Sequence, residues 1–234
     1  MKLTADLINS SSTYLNAIKD RELDLSGNHI TLIENLGATR DLYDSLNLCN
    51  NSIRILGNFP NLNRLSALYV ADNRIASIER ELAETLPNLH TLILTSNSIG
   101  DLIDLEPLRA LENLRMLSIA NNPVVSKPYA RLWCIWRLSG TLQVLNFEKV
   151  KASERSEAKK LFGDVDGDIT DLAKSILAIE SSAPANVFVP GEGLGQEAAV
   201  EKSAEEIERE QSIAEIKARI REEMAQVEAM EEFI

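Results

Sequence analysis

Apolar positions recur in residues 65–124 as three copies of one pattern, in which spaced apolar residues are followed by an asparagine and a further aliphatic residue. Because side chains alternate between the two faces of a strand, each apolar-x-apolar pair predicts a short strand with one buried face. The asparagine that follows predicts a turn at the end of that strand. The three copies are Leu65-x-x-Leu68-x-Val70-x-x-Asn73-x-Ile75, Leu89-x-x-Leu92-x-Leu94-x-x-Asn97-x-Ile99 and Leu114-x-x-Leu117-x-Ile119-x-x-Asn122-x-Val124.

Shorter copies begin at Leu23 and Leu46, so that the asparagines fall at positions 28, 51, 73, 97 and 122, with periods of 22 to 25 residues. This period is typical of a leucine-rich repeat, whose coils cannot bury their apolar side alone and therefore stack around one continuous core. We predict an α/β fold, a right-handed leucine-rich-repeat solenoid with a curved parallel sheet on its concave face. The asparagine amides are predicted to bond backbone groups of their own turn and of the next coil, which is a structural role.

A solenoid needs caps because its terminal coils expose core residues. Residues 1–20 are predicted to form a helical N-terminal cap that begins at Thr4, and residues 125–150 a C-terminal cap in which Trp133 and Trp136 cover the last coil. A final strand with the pattern Leu142-x-x-Leu145-x-Phe147 follows in that cap. The residues expected to cover the first coil are Leu7, Ile8, Leu15 and Ile18.

Composition changes sharply after the repeats. Residues 1–150 hold 14 Lys+Arg and 16 Asp+Glu, whereas residues 151–234 hold 10 and 20. We predict three segments: a repeat domain with both caps (1–163), a linker rich in Ser, Ala, Pro and Gly (164–200), and an acidic amphipathic helix (201–234) that docks on its own solenoid or on another protein.

Candidate chemistry is sparse. The histidines His29 and His90 have no second histidine or cysteine at ligand spacing, and no phosphate-binding loop or nucleophile motif is present. The aspartates near Gly167 do not fit a calcium loop, because that glycine lies at position 4 instead of 6. We expect no enzyme activity, no cofactor and no metal. No apolar stretch is long enough to span a bilayer, and we expect a soluble intracellular protein.

The outward positions of the predicted sheet are the best candidates for function. Tyr69, Ile93 and Met116 form an apolar centre with acidic residues at the two rims, which is the anatomy of a protein interface. Small neighbours such as Ala67 leave room for a helix to lie across the strands. The outward positions that we assign to a protein partner are Glu22, Asp24, Ser26, Asn47, Tyr69, Ala71, Ile93, Thr95, Met116, Ser118 and Asn146.

Several motifs resemble one known family. They are MKLTADLI at the start, RELDLSGNHITLIENLGAT in the first repeat, KVKASERSEAKKLFGD after the last strand and FVPGEGL in the linker. Together they are similar to the A-prime proteins of the U2 small nuclear ribonucleoprotein. The first three motifs extend the resemblance over residues 1–163, and FVPGEGL looks like a short motif of the same family's tail. The acidic, helical tail departs from what this family leads us to expect.

The resemblance implies a nuclear, non-enzymatic scaffold in pre-mRNA splicing. It implies a B-double-prime-type partner whose RNA-recognition-motif domain places a helix on the concave sheet, with Glu22 and Asp24 favouring a basic residue on that helix. The pair then binds a stem-loop of U2 small nuclear RNA, mainly through the partner, and other spliceosomal proteins are expected on the C-terminal helix. Candidate contacts to the RNA backbone, chosen because they flank the caps, are Lys2, Arg21, Lys149, Lys151 and Arg155.

Two other functions fit the repeats alone. One is a phosphatase regulator or an acidic nuclear protein without an RNA partner, but the tail has no long acidic run and neither type requires the ENLGAT motif. The other is a substrate-docking module of a ligase, for which the sequence shows no attached motif.

Overall fold

A computed structural model describes residues 1–138, 140–165 and 167–178. The predicted helix 201–234 and most of the predicted linker lie outside these residues. The elements in chain order are α1 (Ala5–Ser10), β1 (Ser12–Leu15), β2 (Arg21–Asp24), β3 (Ser45–Asn47), β4 (Ile55–Leu56), β5 (Ala67–Tyr69), β6 (Ser77–Ile78), α2 (Leu82–Thr85), β7 (Thr91–Ile93), β8 (Met116–Ser118), α3 (Ala130–Arg137), β9 (Val144–Leu145), β10 (Glu148–Lys149), α4 (Ala152–Phe162) and α5 (Asp171–Leu177), with 3₁₀ helices at Leu36–Thr39, Leu102–Ala110 and Pro123–Ser126.

Within the described residues, eight strands form one sheet in the order β1-β2-β3-β5-β7-β8-β9-β10, and β4 pairs with β6 separately. The strands from β2 to β9 run parallel, and each edge strand is antiparallel to its neighbour. The register aligns one leucine of every coil in an inward row that is at most 2 % exposed, and this row confirms the predicted repeat fold. The row consists of Leu23, Leu46, Leu68, Leu92, Leu117 and Leu145.

The asparagines connect successive coils. The amide of Asn97 donates to the carbonyl of Val70 in the preceding coil (2.9 Å) and to that of Leu94 in its own coil (3.0 Å), and its oxygen accepts from the Ile75 N–H (2.9 Å). The same arrangement recurs at Asn51, Asn73 and Asn122. These side chains satisfy buried backbone groups of their own turn, as predicted, but the other coil that they bond is the preceding one and not the next.

The N-terminal cap differs from the prediction in its second half. Thr4 does cap α1, since its hydroxyl accepts from the Leu7 N–H (3.2 Å), and Ile8 is buried. However, the helix ends at Ser10, and β1 follows as an edge strand against β2. Leu15 and Ile18 are 69 % and 68 % exposed, so the prediction that they cover the first coil is wrong.

The C-terminal cap is an aromatic cluster. Trp133 and Trp136 pack against Phe162 of α4 with ring centroids 5.4 and 5.1 Å apart, and all three are buried. The indole N–H of Trp136 donates to the carbonyl of Gly163 (2.9 Å). The predicted covering role of the two tryptophans is therefore confirmed.

Gly163 ends α4 with φ of +90°, and a β-carbon there would lie 2.3 Å from the carbonyl oxygen of Asp168. Only glycine fits this turn without displacing backbone. Beyond it, α5 packs on α4 and buries Ala173 and Ile176. Part of the segment predicted as linker, up to residue 178, thus belongs to the folded cap.

The pattern Leu145-x-Phe147 predicted that Phe147 continues the inward row of the last strand. The structure shows that it does not. Strand β9 ends at Leu145, and the backbone turns at Asn146 and Phe147, both at positive φ, into the antiparallel β10. The Phe147 ring is 66 % exposed.

Candidate protein-interaction surface

The concave surface consists of the outward side chains of strands β2 to β9, which the register arranges in rows. One row holds Glu22, Ser45, Ala67, Thr91, Met116 and Val144, and the next holds Asp24, Asn47, Tyr69, Ile93 and Ser118. Met116 therefore lies one row away from Tyr69 and Ile93 instead of beside them, because Ser118 is the residue in register with Ile93.

The centre of this surface is apolar, and small side chains surround its two larger ones. Tyr69 and Ile93 are half-buried neighbours on adjacent strands, and the small residues Ser45, Ala67 and Ser118 around them are buried. Burial raises the pKa of the Tyr69 phenol above its ordinary value. Two half-buried apolar side chains beside small, buried residues leave space for a bulky element, such as a helix of a partner, to cross the strands.

Glu22 is covered from its own chain. Only 7 % exposed, its carboxylate accepts hydrogen bonds from the Tyr14 hydroxyl (2.8 Å), the Asn16 amide (3.0 Å) and the Ser45 hydroxyl (3.4 Å). The sequence placed Glu22 on the surface for a basic residue of a partner, but these donors already satisfy its oxygens. Asp24 is half-buried, and its oxygen accepts from the Ser26 N–H (3.0 Å).

Tyr14 is the residue of this surface that sequence reasoning missed. It pairs with Glu22 across β1 and β2, so it lies on the concave side, where it is 45 % exposed. A signal was present: the residues Ser12–Leu15 are rich in strand-forming types, which favour an edge strand over a helix. The helical spacing of the apolar residues around them concealed it.

Two other residues that were predicted to contact a protein partner have a structural role. The Ser118 hydroxyl is within 2.8 Å of the Thr95 hydroxyl and is fully buried. The carboxamide oxygen of Asn146 accepts from the Ile119 N–H (2.8 Å), which is the role that the Ser118 carbonyl has for Leu94 one coil earlier. Among the remaining predicted positions, Ser26, Asn47, Ala71, Thr95 and Met116 are half-buried on or just beyond the strands.

The five candidate RNA contacts fall into two groups at opposite ends of the sheet. Lys2 and Arg21 are exposed near the first coil, and Lys149 and Lys151 near the last. Six strand intervals of about 4.8 Å put roughly 30 Å between β2 and β10. Arg155 is half-buried and donates to the carbonyl of Leu142, so it is part of the cap.

The described residues offer no group of three His, Cys, Asp or Glu side chains that could hold a metal ion. Burial raises the pKa of the Cys134 thiol to about 12, so this residue is a core side chain and not a thiolate nucleophile. None of the helices in the part of the chain that the structure describes is long and apolar enough to cross a membrane.

Comparison with known proteins agrees with the repeat fold and identifies its type. The sequence profile of the leucine-rich repeat family matches residues 1–177. The U2 small nuclear ribonucleoprotein A′ of Homo sapiens is 46 % identical over 194 residues, which are 83 % of this chain and 73 % of the human protein. The chain belongs to the U2 small nuclear ribonucleoprotein A′ family. The A′ protein of Arabidopsis thaliana is 48 % identical over 168 residues, which are 72 % of this chain and 67 % of that relative.

A solved structure, the SNF/U2A′ complex of Drosophila melanogaster, contains a chain with this fold. The two chains superpose with a TM-score of 0.70 and are 41 % identical, and the match covers 76 % of this chain and 98 % of that one. A′ family membership indicates a scaffold role in a spliceosomal particle and a partner protein within it. It decides against the phosphatase-regulator, acidic nuclear protein and ligase-module alternatives.

Proposed function

We propose that this chain binds the RNA-recognition-motif domain of a B-double-prime-type protein on its concave sheet, and that the pair binds a stem-loop of U2 small nuclear RNA in the nucleus. The observation that carries the proposal is the apolar centre at Tyr69 and Ile93, set among buried small residues. A family relative is solved in complex with a second protein, which supports a binding role for this fold.

The partner supplies most of the RNA recognition in this proposal. RNA bases are read by stacking on aromatic side chains and by hydrogen bonds to their edges, and the concave sheet offers few exposed aromatic rings for this purpose. The exposed lysines Lys149 and Lys151 add contacts to the RNA backbone at one end of the sheet, while Lys2 and Arg21 lie too far away to reach the same few phosphates. Contacts between residues 201–234 and other spliceosomal proteins stay a prediction, because that segment lies outside the described residues.

The test is copurification of the tagged full chain from cells, with the bound proteins identified and the bound RNA sequenced. We expect an RNA-recognition-motif protein and U2 small nuclear RNA with the natural chain. The double variant Tyr69→Glu/Ile93→Glu places two charges in the apolar centre and should release both while the chain remains folded. Val125→Glu is the matched control, because Val125 is 41 % exposed on the 3₁₀ helix Pro123–Ser126, away from the concave sheet.

The outcomes separate the parts of the proposal. RNA that persists after loss of the partner protein would mean that the basic caps or the tail bind RNA directly. Recovery of neither molecule with the natural chain would contradict the proposed function as a whole.

A further inference from the structure

Phe147 is an aromatic residue at the tip of the last hairpin, in a conformation that its side chain disfavours. Its φ is +63°, that of Asn146 is +51°, and the two residues alone connect β9 to β10. A two-residue hairpin with two positive φ values is a type I′ turn, in which asparagine suits the first position and glycine the second. A bulky side chain in the left-handed region is an outlier that persists only where something else requires it.

The turn itself does not require the ring. Asn146 fixes the local geometry, because its carboxamide oxygen accepts from the Ile119 N–H (2.8 Å). The Phe147 side chain is 66 % exposed, and its ring has no partner among the described aromatic residues. Folding alone would therefore favour glycine at this position.

Tyr129 gives an internal comparison. It also has a positive φ (+60°) and a half-exposed ring, but that ring packs edge-on against Phe162 with centroids 6.5 Å apart. The conformation of Tyr129 is thus explained by a contact inside the cap. Within the part of the chain that the structure describes, Phe147 makes no such ring contact.

The hairpin continues the concave surface. Val144 of β9 is in register with Met116 of β8, and both are half-buried on the concave side. Strand β9 lies two intervals from β7, so about 10 Å separates it from the strand of Ile93. Phe147 lies two residues after the end of β9, so a protein domain that covers Tyr69 and Ile93 and extends two strands further would meet this hairpin.

We propose that Phe147 is an anchoring residue for the partner domain on the concave sheet and inserts its ring into an apolar pocket of that domain. This inference rests on the proposed function. A protein pocket fits the site better than an RNA base, because the residues in register beside this hairpin, Val144 and Met116, are apolar and half-buried on the concave side.

The test compares variants of the full chain for binding to the RNA-recognition-motif domain of the B-double-prime-type protein from the same organism, first without RNA. Phe147→Gly removes the ring and the disfavoured conformation together. We expect an unchanged or higher Tm and a Kd weakened by about tenfold or more, as for an aromatic anchor of an interface. Phe147→Leu keeps an apolar side chain and should retain most of the affinity.

The control is Tyr129→Gly, for which we expect a lower Tm and an unchanged Kd. An unchanged Kd for Phe147→Gly would overturn the proposal, and so would a fall in Tm for both Phe147→Gly and Phe147→Asn, because the ring would then serve the fold. If only the affinity for a complex that includes the U2 stem-loop fell, the ring would contact RNA, and the protein anchor would be wrong. If the natural chain did not bind the domain, the proposed function itself would be wrong. That outcome is distinguishable from the results for the variants, which presuppose binding by the natural chain.

Discussion

The hydroxyl of Tyr14 donates a 2.8 Å hydrogen bond to the carboxylate of Glu22, across the antiparallel pair of β1 and β2. The bond joins the N-terminal strand to the first coil of the sheet. It also raises the pKa of the Tyr14 phenol to about 12, since the bond and the adjacent negative charge of Glu22 both favour the protonated form.

This pairing predicts a loss of stability at alkaline pH. A folded-state pKa above the unfolded value of about 10 contributes stability that is fully present below pH 10 and is lost as the pH rises towards 12. The measurement is urea denaturation of the natural chain and of Tyr14→Phe between pH 8 and pH 11. The stability difference between them should shrink above pH 10, and a difference that stays constant would contradict the assignment.

We call the inter-coil hydrogen bonds of Asn51, Asn73, Asn97 and Asn122 the asparagine ladder. It predicts that the loss of one of these amides lowers the stability of the chain substantially. Asn97→Ala would leave the Ile75 N–H without an acceptor in a buried turn, whereas the carbonyls of Val70 and Leu94 would keep the amides of Asn73 and Asn122 as donors. We expect a loss of about 1–3 kcal/mol in the free energy of unfolding, because the unsatisfied buried N–H retains its full desolvation cost.

Asn88→Ala is the control for the ladder. The Asn88 amide makes an exposed bond to the Asn63 carbonyl (2.9 Å), and its loss should cost less than about 0.5 kcal/mol. Equal effects of the two substitutions in denaturant melts would show that the ladder bonds do not stabilise the solenoid.

The C-terminal cap predicts a loss of stability at acid pH. Hydrogen bonds from Arg131 (2.7 Å) and from the Lys151 N–H (2.8 Å) lower the pKa of Glu154 below its usual value. A depressed folded-state pKa contributes stability that is present above the unfolded value of about 4.3 and is lost as the pH falls through the folded value. Glu154→Gln should cost about 1 kcal/mol at pH 7 and progressively less below pH 4, as measured by denaturation across pH.

The conformation of Gly163 predicts that a larger residue at this position destabilises the C-terminal cap. A β-carbon at φ of +90° would lie 2.3 Å from the Asp168 carbonyl oxygen, so Gly163→Ala should destabilise the chain by about 2 kcal/mol. Tryptophan fluorescence reports the change, because Trp136 donates to the Gly163 carbonyl. Gly140→Ala is the control, since nothing lies within 4 Å of its added carbon. A fluorescence spectrum and melt unchanged by Gly163→Ala would contradict this account.

The repeat fold was predictable because its causes are local and repeated. Each coil presents its leucines at the period of a strand and its asparagine at the turn, so the inward row from Leu23 to Leu145 follows from spacing alone. The position before each repeat asparagine, from Asn28 to Asn122, has a positive φ, at Gly27, Asn50, Asp72, Ser96 and Asn121. Most of these are residue types that tolerate the left-handed region.

The two ends of the sheet were less predictable, because there the neighbour on one side is missing. Leu15 and Ile18 have helical spacing with Leu7 and Ile8, yet the open edge of β2 favours a strand at Ser12–Leu15. Phe147 has the alternation of an inward residue, but strand β9 ends at Leu145 and the chain reverses. In both cases, pairing with an edge strand decided the outcome, and sequence spacing does not record that pairing.

The candidate surface was predictable in its centre and not in its rim. Tyr69 and Ile93 followed from alternation alone. The covering of Glu22 by Tyr14 and Asn16 did not, because it depends on the hairpin that brings residues 12–16 back over the first coil.

The direction of the asparagine bonds has a consequence for synthesis of the chain. Each ladder oxygen accepts from an N–H of the coil before it, and Asn146 does the same for Ile119 at the end of the series. A coil that emerges from the ribosome therefore carries buried donors that only the following, still unfinished coil can satisfy. Nascent chains that stop before Asn146 should remain sensitive to proteases along the last coil, whereas chains released beyond Phe162 also have the aromatic cluster that closes it.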